Sequence, residues 1–438
     1  MGIKSRHLWV LAFSGMLAGP TSAFATNGYF LIGYGAGAIG VGGASVAFPQ
    51  DAIAGAANPA NIGEFTSPQF DVGIGFFEPR RRSGVDIVQP SIVSNPSNDW
   101  SDVNLFAIPS MGFVWPFNEN LSVGLAAVGA GMNTKYRNNF FQNSSGTATK
   151  YLGVDLVQLF VPITASYKIN NTHTLGMSVV PARQRFAAIG LRTFEPFSSD
   201  GDHLTDKGHD YANGLGFRFG WMGHFQDNKL SLGATYATKV YMQKFKLYRG
   251  LFAEAGSFDV PVNYAVGMAY KLNKDLTFAF DIQRILYSGV PSVGNRGPYV
   301  GAPDSFNTPP PTGEFALGND HGLGFGWKDM TVYKMGVAYK YSDKLTLRAG
   351  YNYGKNPIPQ DQLLFSAIAP GTVEKHYTLG LTYNLGEQSI FGFGREADFT
   401  MAYVHAQAKR LQGPTPYNTY SDYELYQNEL EFAYSLKF

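Results

Sequence analysis

The chain contains no cysteine, which removes disulfide scaffolds, thiolate metal sites and thiol nucleophiles in one step. Net charge is almost absent as well: 34 Lys and Arg stand against 33 Asp and Glu. The basic surface that nucleic acid demands is missing, so no nucleic-acid partner is expected. Beyond residue 25 there is no run of about 20 consecutive apolar residues, the length a helix needs to cross a bilayer. No Pro/Gly/Ser-rich linker and no charged tail divides the 438 residues, so the chain reads as one large unit.

What the chain has in abundance is aromatic and small: 34 Phe, 26 Tyr and 51 Gly. Its head is distinct. Lys4, Arg6 and His7 precede an apolar run from Leu8 to Leu17, followed by Ala23-Phe24-Ala25. Residues 1–25 therefore read as a secretory signal with a small-x-small cleavage site, leaving Thr26 as the mature N-terminus. Export, aromatic and glycine richness and the lack of a spanning helix leave a membrane β-barrel or a large secreted β protein.

Period-two alternation decides between these. Leu430, Phe432, Tyr434, Leu436 and Phe438 alternate with Glu429, Glu431, Ala433, Ser435 and Lys437. The pattern returns in Leu345, Leu347, Ala349, Tyr351 and Tyr353 against Thr346, Arg348, Gly350 and Asn352. Strands of a soluble sandwich run about 5 to 6 residues. These runs are longer, and about 10 residues is what a tilted strand needs to cross a bilayer.

Runs of this kind occupy 68–79, 104–117, 120–136, 152–168, 173–192, 214–226, 229–247, 258–272, 275–288, 329–341, 344–354, 374–385, 397–410 and 424–438, fourteen in all. Tight polar turns at Asn118-Glu119-Asn120, Asn170-Asn171-Thr172, Gln226-Asp227-Asn228, Asn273-Lys274-Asp275 and Ser342-Asp343-Lys344 interleave with long segments such as 80–103, 193–213 and 289–328. Short turns on one side and long loops on the other mark an outer-membrane barrel; the segment 386–396 is longer than its siblings on the short side. The expected fold is all-β, a transmembrane antiparallel β-barrel of about 14 strands over 66–438, multi-pass and monomeric in the bacterial outer membrane.

Fourteen strands enclose more space than their own side chains fill, because about 8 already suffice for a filled interior. The segment 26–65 precedes the first strand and is rich in Gly33, Gly35, Gly37, Gly40, Gly42 and Gly43 before Asn58-Pro59-Ala60. Small residues let a turn-rich plug approach a wall closely, and Pro59 stiffens its exit. Residues 26–65 are read as an internal hatch, partly helical and partly irregular.

Asn27-Gly28-Tyr29-Phe30, the glycine-rich run to Gly43 and the Asn58-Pro59-Ala60 triplet resemble the hatch of the FadL/TodX-type outer-membrane transporters of long-chain fatty acids and hydrocarbons. Trp327-Lys328-Asp329, Arg348-Ala349-Gly350 and Pro357-Ile358-Pro359 add a second match, and the terminal Phe438 fits the family's signal to the barrel assembly machinery. The resemblance runs from end to end. It implies that ligand lands among outer loops, here Leu251, Phe252 and Ala253, and passes to a deeper apolar pocket that includes Tyr29 and Phe30. It implies exit sideways where the third strand bends inward, here at Gly129-Ala130-Gly131, the kind of site where a strand drops a ladder bond. Family members that hold a fatty-acid carboxylate place a lysine shortly before the Lys-Asp of the tenth strand. This chain has Asn319-Asp320-His321-Gly322 there, which favours a neutral hydrophobic substrate at that spot.

Alternation places Arg218, Lys239, Lys334 and Arg348 inside with Asp71, Asp281, Glu429 and Glu431. Mutual neutralisation and bonding to the hatch account for them, while Arg218 or Arg348 could instead fork onto an anionic headgroup. Arg183 and Arg185 share the outward phase of Leu175, Met177 and Val179 unless Pro181 marks a bulge that turns them inward. The resemblance gives an arginine of this strand to the ligand pocket; alternation gives both to lipopolysaccharide phosphates. Leu156, Phe160 and Phe186 point inward, which suits an apolar ligand and packing against the hatch equally.

Gly35-Ala36-Gly37-Ala38-Ile39-Gly40 matches a dinucleotide fingerprint but lacks the βαβ setting that gives it meaning, so no cofactor is expected. No hydrolase or metalloprotease motif appears, and His405 shares an outward apolar phase, so neither an enzyme nor a metal site is expected. The reading is a passive conduit for fatty acids, hydrocarbons or a detergent mimic, with outer-membrane lipid and lipopolysaccharide around it. The alternative is a general or anion-preferring diffusion porin.

Overall fold

The computed structural model describes residues 26–87, 99–141, 149–302, 313–388 and 396–438; the expected signal segment 1–25 and most of 386–396 lie outside them. Fourteen strands form one closed antiparallel barrel in which each pairs with its neighbours in sequence. They are β1 (Gln69–Ile87), β2 (Phe106–Pro116), β3 (Leu121–Tyr136), β4 (Leu152–Phe160 and Ile163–Lys168), β5 (His173–Ile189), β6 (Asp210–Phe225) and β7 (Leu230–Ala237, then Tyr241–Met242). β8 (Asn263–Lys271), β9 (Leu276–Ile285), β10 (Met330–Lys340), β11 (Leu345–Gly354), β12 (Lys375–Gly386), β13 (Glu396–Thr415) and β14 (Thr419–Lys437) complete the ring. It closes where β14 pairs with β1, from Thr419 opposite Ile87 to Lys437 opposite Gln69.

Closure is forced by the solvent, since hydrocarbon offers backbone N–H and C=O groups no partner and every strand must pair on both sides. The greasy faces point out. Val72, Ile74, Phe76, Leu175, Met177, Leu379 and Tyr383 are all exposed, as a lipid-facing wall requires. The short turns are built by asparagine: Asn118, Asn170 and Asn273 each accept two backbone N–H groups, two and three residues on, at 2.8–2.9 Å. This is the Asx geometry that makes Asn a turn residue.

Four strands run well past their expected ends, β6 beginning at Asp210 rather than 214, while β7 and β8 fall short of the expected 229–247 and 258–272. β1 continues to Ile87, and β13 and β14 meet at a hairpin whose tip residues Tyr417 and Asn418 have φ of 65° and 54°. Part of the expected loop 80–103 is therefore strand. The outward series of β1 changes from Val72, Ile74 and Phe76 to Glu78, Arg80 and Arg82, so the pleat persists after the apolar band ends and the sheet stands above it. Lipid patterning alone marks where hydrocarbon stops and not where pairing stops.

Residues 26–65 carry short helices at Ala36–Gly40, Ala52–Ala56 and Pro59–Glu64 and are buried through most of their length. They approach every one of the fourteen strands. Glycines in the wall permit it. A Cβ added at Gly112 would sit 2.6 Å from the Ala52 carbonyl carbon, and one at Gly380 2.9 Å from the Gly40 Cα. Gly176, Gly336 and Gly350 face the backbone of Pro59, Val41 and Gly42 in the same way, and Gly220 makes room for the Asn58 side chain. Such contacts are closer than any side chain tolerates, so backbone meets backbone.

Candidate functional site

Inside the ring the charged side chains hold the N-terminal segment. The Asp281 carboxylate accepts the N–H groups of Ser45 at 2.7 Å and Val46 at 3.0 Å, and Lys334 Nζ donates to the Ile32 carbonyl at 2.9 Å. Asp71 accepts from Ala52 N. Asn58 donates to the carbonyls of Val46 and Trp221, and its side-chain oxygen caps the helix at Pro59–Glu64 by accepting from Ala60 N. Arg348 donates through Nε to Gln50 and through its terminal nitrogen to Thr382. Arg218 donates to the carbonyls of Ala56 and Ala57 and lies over the Tyr34 ring. These bonds satisfy groups shut away from water, which otherwise cost about 1–3 kcal/mol each.

Two apolar cavities lie among the described residues. The upper has about 900 Å3 of empty space and is lined by Tyr29, Met132, Phe141, Leu156, Phe186, Phe194, Leu251, Phe252, Phe258, Trp327, Phe365 and Ile368, among others. No charged side chain lines it. The lower, of about 670 Å3, is bordered by Tyr29, Phe30, Leu31, Tyr34, Val128, Gly129, Ala130, Phe160, Arg218 and Val240. Tyr29 belongs to both walls. Its ring packs 5.1 Å from Tyr287 and 6.0 Å from Trp327, and burial raises its phenol well above the ordinary tyrosine pKa, which keeps it neutral.

β3 changes character beside the lower cavity. Its ladder to β2 runs from Pro116 opposite Ser122 to Met111 opposite Ala127 and stops there. Phe106–Ser110 continue to pair with β1, and Val128–Tyr136 continue to pair with β4. Between those edges the wall lacks its ladder over the outer half of the apolar band. Residues 130–134 are all buried where alternation would expose every second one, so this part of the strand has turned inward. Above the gap, Asp102 N donates to the Lys135 carbonyl at 2.8 Å and restores the seam.

The expected ligand-site residues divide accordingly. Tyr29, Phe30, Leu156, Phe160, Phe186, Leu251 and Phe252 gather around the two cavities, with Gly129 at the lower one. Gly131 lies in the inward-turned stretch, while Asn58, Pro59 and Ala60 pack below against β4, β5 and β6. Arg218 reaches the lower cavity with its guanidinium already bonded to carbonyls. Arg348 lies elsewhere, beneath Gln50. Arg183 and Arg185 require correction as ligand residues. β5 and β6 keep one register from His173 to Phe186, so Pro181 introduces no bulge and the phase never reverses. Both arginines face outward, Arg183 over the Tyr211 ring and Arg185 bonded to Asp155 at 2.9 Å. Phe194, Trp327 and Phe365 come from long connections without periodicity, so alternation marks none of them as lining residues, although Trp327 belongs to the matched Trp327-Lys328-Asp329.

The glycine-rich fingerprint Gly35–Gly40 forms a buried helix of 5 residues against β11–β14, with no strand–helix–strand unit around it. Among the described residues no cluster could hold a metal.

The family model for outer membrane transport proteins of the OMPP1/FadL/TodX type matches residues 18–434. No curated relative matches by sequence. Among solved structures, the Pseudomonas putida toluene transporter TodX is 20% identical with a TM-score of 0.66, covering 93% of this chain and 99% of its own. A Pseudomonas aeruginosa FadL homologue is 15% identical at 0.66, covering 94% and 99%. The Ralstonia pickettii toluene transporter TbuX is 18% identical at 0.64, covering 93% and 99%. At these identities the likeness is one of fold.

Proposed function

The chain belongs to the OMPP1/FadL/TodX family of outer membrane transport proteins, and on that footing we propose that it is a passive uptake channel for hydrophobic small molecules such as fatty acids or hydrocarbons. Outer loops bearing Leu251 and Phe252 capture the molecule, and the upper cavity holds it. It then passes Tyr29 to the lower cavity and leaves sideways where β3 parts from β2. Residues 26–65 act as the hatch that keeps water and ions from following.

One observation carries this reading: Tyr29 lines both cavities, and the lower one reaches the unpaired edge at Val128–Ala130. A cavity lined by aromatic and aliphatic side chains suits an apolar guest and repels ions. A diffusion porin has no use for such walls, and the bonds from Asp281, Lys334 and Arg348 to the hatch oppose an open bore. The deciding experiment pairs planar-bilayer conductance with displacement of a lipophilic fluorescent probe from the purified protein. Negligible conductance with displacement by alkanoates or aromatic hydrocarbons is expected; large steady conductance without displacement would mean a porin.

A further inference from the structure

The upper cavity offers an amphiphile no charge, yet a cation is buried a short way behind it. Arg81 of β1 is 3% exposed and points inward. Its neighbours on the same strand are both neutralised, Arg80 by Glu78 and Arg82 by Glu424 and Asp422. Arg81 has no carboxylate partner among the described residues. One terminal nitrogen donates to the Asn133 carbonyl of β3 at 2.9 Å, and Nε has no partner.

Hydroxyl groups surround it. Ser83 follows on the same inward face and pairs across the seam with Tyr423, next to Ser421. Tyr136 of β3 lies close enough to Arg81 to interact with its charge. Ser421 Oγ is buried with no hydrogen-bond partner among the described residues, and the buried phenols of Tyr136 and Tyr423 have only the hydroxyls of Ser83 and Ser366 beside them. A buried guanidinium with free N–H groups, ringed by hydroxyls and lacking an acid, costs several kcal/mol unless an anion completes it.

The cavity lies on the other side of a thin layer. Tyr136, Tyr423, Met132, Leu156, Phe186 and Trp327 form one apolar cluster. The carbonyls of Ala367 and Ile368, after the short helix Leu363–Ser366, are held by Ser83 Oγ at 2.6 Å and Thr134 Oγ1 at 2.7 Å, while the Ile368 side chain lines the cavity. Arg81 also stands just past Glu78, where the apolar band ends.

We propose that Arg81, with Ser83, Tyr136 and Tyr423, forms a binding site for the carboxylate of an amphiphile whose chain occupies the upper cavity. The headgroup enters as the Ala367 and Ile368 carbonyls leave their hydroxyls, which frees two further donors. Two guanidinium N–H groups then fork onto the carboxylate, the geometry in which arginine binds this group most strongly. A single positive charge selects a monoanion, because a phosphate dianion would leave a negative charge buried. The site rests on the channel reading above and supplies the cation absent from 319–322.

The test uses the purified full chain in non-ionic detergent, with a long-chain alkanoate and its methyl ester each competing against a lipophilic fluorescent probe. Arg81→Gln keeps a donor for the Asn133 carbonyl and removes the charge. It is expected to weaken the alkanoate by about tenfold or more, the worth of a charged hydrogen bond, and to leave the ester unchanged, with Arg81→Lys intermediate. Equal loss for acid and ester would make Arg81 a strut between β1 and β3, and no change for either would also overturn the site. Competition by the ester on the unaltered protein tests the channel itself, so the two readings fail separately. Heat-modifiable migration on a gel verifies that each variant keeps its barrel.

Discussion

The Tyr287 hydroxyl donates to the Asn27 carbonyl at 2.5 Å and accepts the Tyr29 N–H at 3.3 Å. One loop side chain thus clasps the two-residue turn between Thr26–Asn27 and Phe30–Leu31, and Gly28 there has φ of 72° and no room for a Cβ against the Tyr287 ring. Tyr287→Phe keeps the ring and loses both bonds, each worth about 1 kcal/mol. Amide exchange at Asn27–Leu31 is expected to speed up by about tenfold or more while strand amides keep their rates. Unchanged exchange at these residues would show that packing alone holds the turn.

The wall glycines make a second prediction. Gly350→Val places methyl groups where the backbone of Val41 and Gly42 now lies, an overpacking that costs about 1–3 kcal/mol and that the looser partner relieves by moving. Residues 26–65 should shift rather than the barrel, so single-channel recordings should show openings absent from the parent. Deleting 26–60 should give the same conductance permanently; a silent deletion protein would show that this segment does not seal the bore.

The unpaired edge is addressed by Gly129→Val with Gly131→Val. β-branched side chains favour regular pleated strand and fill the approach from the lower cavity. Uptake of a radiolabelled hydrophobic substrate by cells should fall to the level of cells without the protein, with normal amounts of folded barrel in the membrane. Transport at the parental rate would rule out this exit.

Arg183 and Arg185 supply a negative control. Both sit on the outer face in contact with Tyr211 and Asp155, and neither lines a cavity. Alanine at either position should leave probe displacement within about twofold of the parent, a change of under ~0.5 kcal/mol. A loss of an order of magnitude would place an arginine of β5 in the binding path after all.

Strand existence and facing were legible because lipid enforces a strict rule: Leu175 and Met177 must look out, Asp281 and Lys334 must not. The rule holds across Pro181, which kept Arg183 and Arg185 on the outside where a bulge would have turned them. It ends where hydrocarbon ends, so the upper ends of β1, β13 and β14, residues 80–87, 411–415 and 419–423, under a different selection, were read as loop. Leu156, Phe160 and Phe186 were found because they are apolar at polar phase. Phe194, Trp327 and Phe365 come from segments held by scattered tertiary bonds, such as Trp327 Nε1 to Ser366 at 3.3 Å, which leave no period. Arg81 escaped for a subtler reason: among Arg80, Arg81 and Arg82 nothing in composition says which one lacks an acid.

The bare stretches of wall bind the fate of the cylinder to what it encloses. Gly112, Gly176, Gly220, Gly336, Gly350 and Gly380 leave hollows that match the backbone of residues 40–59, and the final seam joins Gln69–Ile87 to Thr419–Lys437. Backbone seated in such hollows leaves no space for a Cβ on the wall, so cylinder and contents are shaped as one solid and neither surface can be redrawn alone.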